Sequence, residues 1–278
     1  MLTGSDERTN WLATASLAAT ASLAAAVFVG AARAAADEAP RHDDLPDDVP
    51  RYALCRAAVP PRIDGRLDEP CWFAAPACGA FRFTWYASGP QEQTIVKMAW
   101  DDQCLYVAHV CQDAFITAAY DQHDDPVPED DCFEIMLAPD AARIDRYFNI
   151  EWNVRGAYVD GHRPAGPQGP RAPWDVAGWR MAGSYEGTLN DDADRDAHWI
   201  VEAAIPWENF AAALRNLPPR PGDAMRVNFN RHGGQTNMQY SQWSSGDTPA
   251  PAFHTPHRFG RVEFSSTVVP FDPPREGP

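Results

Sequence analysis

The sequence predicts an all-β protein, an antiparallel β-sandwich of jelly-roll type with one short helix. Three observations carry that expectation. In residues 147–154, Phe148, Ile150, Trp152 and Val154 alternate with Tyr147, Asn149, Glu151 and Asn153. Successive strand side chains point to opposite faces, so this stretch is a strand with one packing face and one hydrogen-bonding face. The preceding run divides in the same way, with Phe133, Ile135 and Leu137 on one parity and Cys132, Glu134 and Met136 on the other. Residues 225–231 repeat the pattern, setting Arg226, Asn228 and Asn230 against Met225, Val227 and Phe229.

The remaining elements follow in order. Residues 51–59 read as a first strand that Pro60-Pro61 closes. In IDGRLDEPCW, Asp64-Gly65 marks a turn and Trp72 is a large apolar anchor. Residues 81–86 read as a strand, and 94–100 and 104–112 as two more, joined by the acidic hairpin loop Asp101-Asp102-Gln103. A longer loop, 114–129, carries Asp121, His123, Asp124 and Asp125 into the central pair. Residues 162–178 are rich in Gly and Pro, too irregular for strand or helix, and carry Trp174. Strands are expected at 179–188 and 198–205 around the acidic turn 190–194. The helix is expected at 207–214, where Pro206 favours a helix start. Strands at 226–231, 240–243 and 260–264 complete the sandwich.

The chain has 278 residues, 45% of them hydrophobic, with ten Trp, which is enough for one packed domain, expected at 51–266. A formal charge of −16 excludes nucleic acid and anionic membrane surfaces as partners, since both need a basic patch. Residues 1–36 are Ala-rich and apolar and end in small residues, the pattern of a cleaved secretory signal, although Asp6 and Glu7 oppose Arg8 at its head. Residues 37–50 form an acidic, Pro-rich linker, and 267–278 are expected to be a disordered tail. The expected location is secreted or periplasmic, with no stable membrane insertion after cleavage. All six Cys lie beyond the signal, an even count compatible with disulfides or with buried free thiols.

The polar rows hold Glu, Asn and Arg, whose planar groups make directed hydrogen bonds of the kind sugar hydroxyls need. Glu134, Asn149, Glu151, Arg226 and Asn228 are therefore expected on one concave face. Trp174, in the Gly/Pro loop, offers an aromatic platform. The acidic loops, with Asp102 and Asp131 foremost, offer the hard oxygen ligands of a structural calcium. Two other functions compete. Glu134 and Glu151 can be read as the acid and base of a glycoside hydrolase. Met136 with His109, His232, His254 or His257 can be read as axial ligands of haem.

Seven segments in order, IDGRLDEPCW, VKMAWDDQCLYVAHVCQD, DDCFEIML, YFNIEWNVRGAYVD, WIVEAAIPWENF, MRVNFNRHGG and FHTPHRFGRVEF, resemble the family 9 carbohydrate-binding modules across 63–264. The resemblance implies a β-sandwich that binds oligosaccharide or polysaccharide without cleaving it, holds structural calcium and assists polysaccharide breakdown. It also implies a sugar gripped between two tryptophans. Here those positions fall near Pro128 and Phe253, so half of the aromatic clamp is absent and half is a smaller ring. Glu134 and Asn149 fall at the family's polar sugar contacts, and His254 lies beside the rim.

Overall fold

The structure, a computed structural model, describes residues 45–269. The expected signal segment, most of the linker and the tail from 270 lie outside the described residues. The strands are β1 (Arg51–Ala57), β2 (Thr94–Trp100), β3 (Cys104–Gln112), β4 (Cys132–Ala138), β5 (Tyr147–Trp152) and β6 (Tyr158–Arg163). They continue with β7 (Arg180–Glu186), β8 (His198–Pro206), β9 (Ala224–His232), β10 (Tyr240–Gln242) and β11 (Gly260–Val269). One α-helix, α1, spans Pro70–Ala74.

The strands form one curled sheet in the order β6-β5-β4-β9-β11-β1-β2-β3-β8-β7. Neighbours are antiparallel except around β1, which runs parallel to both β11 and β2. β9 carries β4 along one edge; on the other it carries β11 over its first half and β10 over its second. Curling brings the two ends of the sheet face to face across one core. From β4, β5 and β9 that core takes Phe133, Ile135, Leu137, Phe148, Ile150, Trp152, Val227 and Phe229. From β2, β3 and β8 it takes Val96, Met98, Trp100, Leu105, Val107, Trp199 and Val201. Each of these is the apolar parity of its strand, so the alternation that dictated the strands also selects the buried face. His109 joins the core rather than any ligand site: its ring stacks on Phe133 at 4.0 Å and its Nε2 accepts from Trp152 Nε1 at 3.0 Å.

Several expectations change at this level. Residues 81–86 form no strand: Phe81 is buried in the core, Arg82 makes a single bridge to Gln242, and the chain then turns as Tyr86 N donates to Phe83 O. Behind Pro206 only a 3-10 turn forms, Trp207–Phe210, because Trp207 and Phe210 are both drawn into the core. The helix lies instead where Pro70 starts α1 and Trp72 anchors it. β11 runs to Val269, past the expected start of the tail. The end of the linker is docked, with Asp48 receiving both Nη groups of Arg258 at 3.0 and 2.5 Å. The six Cys are free thiols.

Candidate functional site

The outward faces of β4, β5 and β9 bring the expected polar residues together and add Asn230. Glu134 stands at the middle of β4, opposite Glu151 of β5 and Asn230 of β9. Asn230 Nδ2 donates to Glu134 Oε2 at 2.8 Å, and Asn149 Nδ2 donates to Glu151 Oε1 at 3.2 Å. The two glutamates are direct cross-strand partners on the same face of the sheet. Burial raises both above the usual carboxylate range, Glu151 to about 7, and the charge of Glu151 raises Glu134 further. Two adjacent carboxylates in a poorly solvated place cannot both ionise readily, so the pair retains a proton near neutrality.

This face is covered rather than open. Glu134 is 1% exposed and Asn149 8%, Glu151 is half-buried, and the segment from β10 to β11 folds over the neighbouring Arg226 and Asn228. Arg226 and Asn228 hold that cover. Arg226 Nε donates to Phe259 O at 2.7 Å, while Asn228 donates to Ser244 O at 3.0 Å and accepts from Ser244 N at 2.9 Å. Their hydrogen bonds are thus committed to main chain, and a solvent-facing concave row including them does not form. Phe253 packs under the cover with Trp85, ring centroids 5.7 Å apart, and with His232 and Tyr240. His254 shares a hydrogen bond with the Tyr147 hydroxyl at 2.8 Å. Burial depresses His232 and His254 to about 4, so both imidazoles are neutral at ordinary pH.

Arg163 and Arg171 bring positive charge to this site, Arg171 drawing the Glu151 carboxyl down and Arg163 acting on His254. Gly161 lets Arg171 lie close over β6: a Cβ there would meet Arg171 Nε at 2.5 Å and Asn149 Oδ1 at 3.2 Å, so the guanidinium would have to shift. Arg171, Trp85, Asn230 and Tyr147 escaped the sequence reading as site residues. Asn230 and Tyr147 share the parity of Asn228 and Asn149, a signal that was present. Trp85 and Arg171 come from irregular segments, where parity says nothing.

Other expected residues go elsewhere. Trp174 packs against Phe148 at 4.8 Å and Phe210 at 6.1 Å, on the core-facing side of β5 and away from the Glu134 face. Met136 lies on the outer face with Tyr147, Phe253 and Phe259, separated by the sheet from His109, so the two do not share a haem pocket.

Asp102 and Asp131 do not come together as ligands of one calcium ion, which takes six to eight oxygens. Asp102 makes a two-pronged pair with Arg56 at 2.8 and 2.6 Å. Asp131 accepts from Thr117 N at 2.8 Å and Gly234 N at 2.6 Å, with the Arg231 guanidinium 3.9 Å away where a cation would stand. Asp130 accepts from Ala119 N, Tyr120 N and Asn153 Nδ2, and Asp125 from the main chain of 121 and 122. Asp102 and Asp131 therefore belong to separate neighbourhoods.

A curled β-sandwich with directed polar groups and aromatic rings on its outer face is the architecture of a ligand-binding module. The chain belongs to carbohydrate-binding family 9, whose model matches residues 75–264. Among solved structures, it is similar to a protein of Bacteroides uniformis described as carbohydrate-binding, with a TM-score of 0.65 and 19% identity over 78% of this chain and 99% of that one. It is also similar to a family 9 module of Caldicellulosiruptor kristjanssonii in complex with cellotriose, with a TM-score of 0.54 and 20% identity over 80% of this chain and 100% of that one. The glucose complex from the same organism gives a TM-score of 0.54 and 19% identity, covering 79% and 100%. No curated protein sequence matches.

Proposed function

We propose that this protein binds a neutral oligosaccharide at the outer face of β4, β5 and β9, without cleaving it. One observation carries the reading: Glu134, Glu151, Asn149 and Asn230 stand on adjacent strands and spend their side-chain hydrogen bonds largely on one another. Such a cluster can exchange those bonds for sugar hydroxyls at little net cost, and the Trp85 and Phe253 rings beside it suit the C–H faces of a pyranose. The family's solved complexes make glucose and cellotriose the first ligands to try.

A glycosidase would need Glu134 and Glu151 to straddle a scissile bond, whereas Glu134 is 1% exposed and its carboxyl is bonded to Asn230. We further infer that the chain is exported and works beside enzymes of polysaccharide breakdown. The apolar, Ala-rich stretch before residue 37 supports export, and N-terminal sequencing of extracellular material tests it: an intact Met1 would overturn it.

The binding reading is tested by calorimetric titration of glucose and cellotriose into the parent and into Glu134→Gln. The substitution is expected to cost about 1.5 to 3 kcal/mol of binding, the worth of a charge-assisted hydrogen bond. Equal affinity in the two proteins, or no binding by the parent, rejects the assignment.

A further inference from the structure

Away from the sugar-binding face, a second cluster gathers side chains from three separate segments. His123 comes from the loop between β3 and β4, Asp160 from β6, and Asp175 from the Gly/Pro loop between β6 and β7. One ligand atom from each lies within 4.8 Å of the others. The centre of the cluster is Asp160, which opposes Ile150 on the core-facing side of β6 and is 0% exposed. Its Oδ2 accepts from Val176 N at 2.8 Å, but its Oδ1, equally buried, has no hydrogen-bond partner among the described residues. A carboxylate oxygen withdrawn from water without a donor is costly, and a cation is what relieves it.

His123 Nε2 is 3.7 Å from that oxygen and 3.6 Å from Asp124 Oδ1. Both distances exceed a hydrogen bond. They match the separation of two donors on one tetrahedral ion, which is ~3.4 Å when each bond is ~2.1 Å. The imidazole is held by stacking on Tyr158, with centroids 4.3 Å apart and planes at 17°. A surface hollow lined by Asp124, Val159, Arg171, Trp174 and Asp175 adjoins the cluster and leaves room for a water ligand.

We propose that His123, Asp160 and Asp175 bind a divalent transition ion of the zinc class, with Asp124 as a further carboxylate at its edge. The imidazole nitrogen sets the metal class, since nitrogen favours the borderline d-block ions over calcium, which takes oxygen alone. The ion would tie the Gly/Pro loop and the His123 loop to the edge of β6, where each loop makes a single bridge, His123 with Tyr158 and Ala172 with His162. This site stands independently of the sugar-binding assignment.

A competing set exists at Cys132, Glu151 and His232, whose ligand atoms also lie within 4.8 Å of one another, and the test must separate the two. The full chain, stripped with chelator, is titrated with zinc sulfate and separately with calcium chloride, alongside His123→Ala, Asp160→Asn and Cys132→Ser. The parent is expected to take up a single zinc and to bind calcium far more weakly. Affinity should fall about 100-fold or more in His123→Ala and Asp160→Asn, because even residues behind the ligand set change metal affinity about 10- to 100-fold. Cys132→Ser should bind as the parent does. Zinc should raise the melting temperature of the parent and leave that of His123→Ala unchanged. His123 is partly exposed, so its variant keeps the test valid if the buried Asp160 change prevents folding. No zinc uptake by the parent, uptake undiminished in His123→Ala, or uptake abolished by Cys132→Ser would each overturn the proposal.

Discussion

Each half of the sandwich carries a buried glutamate on its outward face, and the two are treated in opposite ways. Glu202, on β8, is 0% exposed and receives four donors: the main-chain N–H groups of Asp64, Gly65 and Arg66 at 3.1, 2.9 and 3.1 Å, and Trp72 Nε1 at 2.6 Å. Glu134, on β4, is 1% exposed and receives one amide donor, with a second carboxyl for a neighbour. Glu202 is a fastener that fixes the turn before α1 to the sheet. Glu134 retains acceptor capacity that the protein itself does not use. Burial alone therefore does not separate the two glutamates; unspent hydrogen-bonding capacity does.

The largest expected effect tests the fastener. Glu202→Ala leaves two buried donors, Gly65 N and Trp72 Nε1, without an acceptor and frees two part-buried ones, at about 1 to 3 kcal/mol for each buried group, so unfolding in urea should show a loss of about 4 kcal/mol, with sugar affinity of the folded fraction unchanged. A variant as stable as the parent would break the contrast. The next effect is on pH. An unfolded Glu titrates near ~4.3, whereas burial holds Glu151 up to about 7. Between those values the folded state keeps a proton that the unfolded state has released, so stability should fall as pH rises from ~4.3 to about 7, by up to about 3 kcal/mol. Glu151→Gln should reduce that slope in denaturation curves taken across the window; parallel curves for parent and variant would show that Glu151 takes up no proton on folding. The smallest effect concerns the aromatic wall. Trp85→Leu should weaken cellotriose binding by about 1 kcal/mol through lost stacking. An unchanged affinity would place the sugar against Phe253 and Tyr240 instead.

The contrast also explains what was legible in the sequence. Strand parity located β4, β5 and β9 and put Glu134, Asn149 and Glu151 on one face, because a period of two is a property of the strand itself. What covers that face comes from segments distant in the chain. Nothing in the run from Met225 to Phe229 announces that Arg226 and Asn228 will close on Phe259 and Ser244 and lose their availability. Trp174 stands away from the Glu134 face for a related reason: an indole in an irregular loop goes to whichever apolar surface is near, here Phe148 and Phe210. The helix was misplaced because Pro206 and Pro70 send the same local signal, and tertiary packing of Trp207 and Phe210 decided between them.

The parallel pairing of β1 with β11 has a kinetic consequence. Arg51 opposes Arg261 and Leu54 opposes Phe264, and this seam joins the half that holds β4, β5 and β9 to the half that holds β2, β3 and β8. A growing chain makes β1 first and must wait for almost the whole domain before its partner exists. Such distant pairings close slowly, since the entropy of the intervening loop is lost before the contact repays it. Until then one edge of β1 and one edge of β9 stay unpaired, and open edges are where chains join one another. Refolding at rising protein concentration should accordingly lose yield to association, and a chain ending before Gly260 should lose most of it, since both edges then remain open permanently.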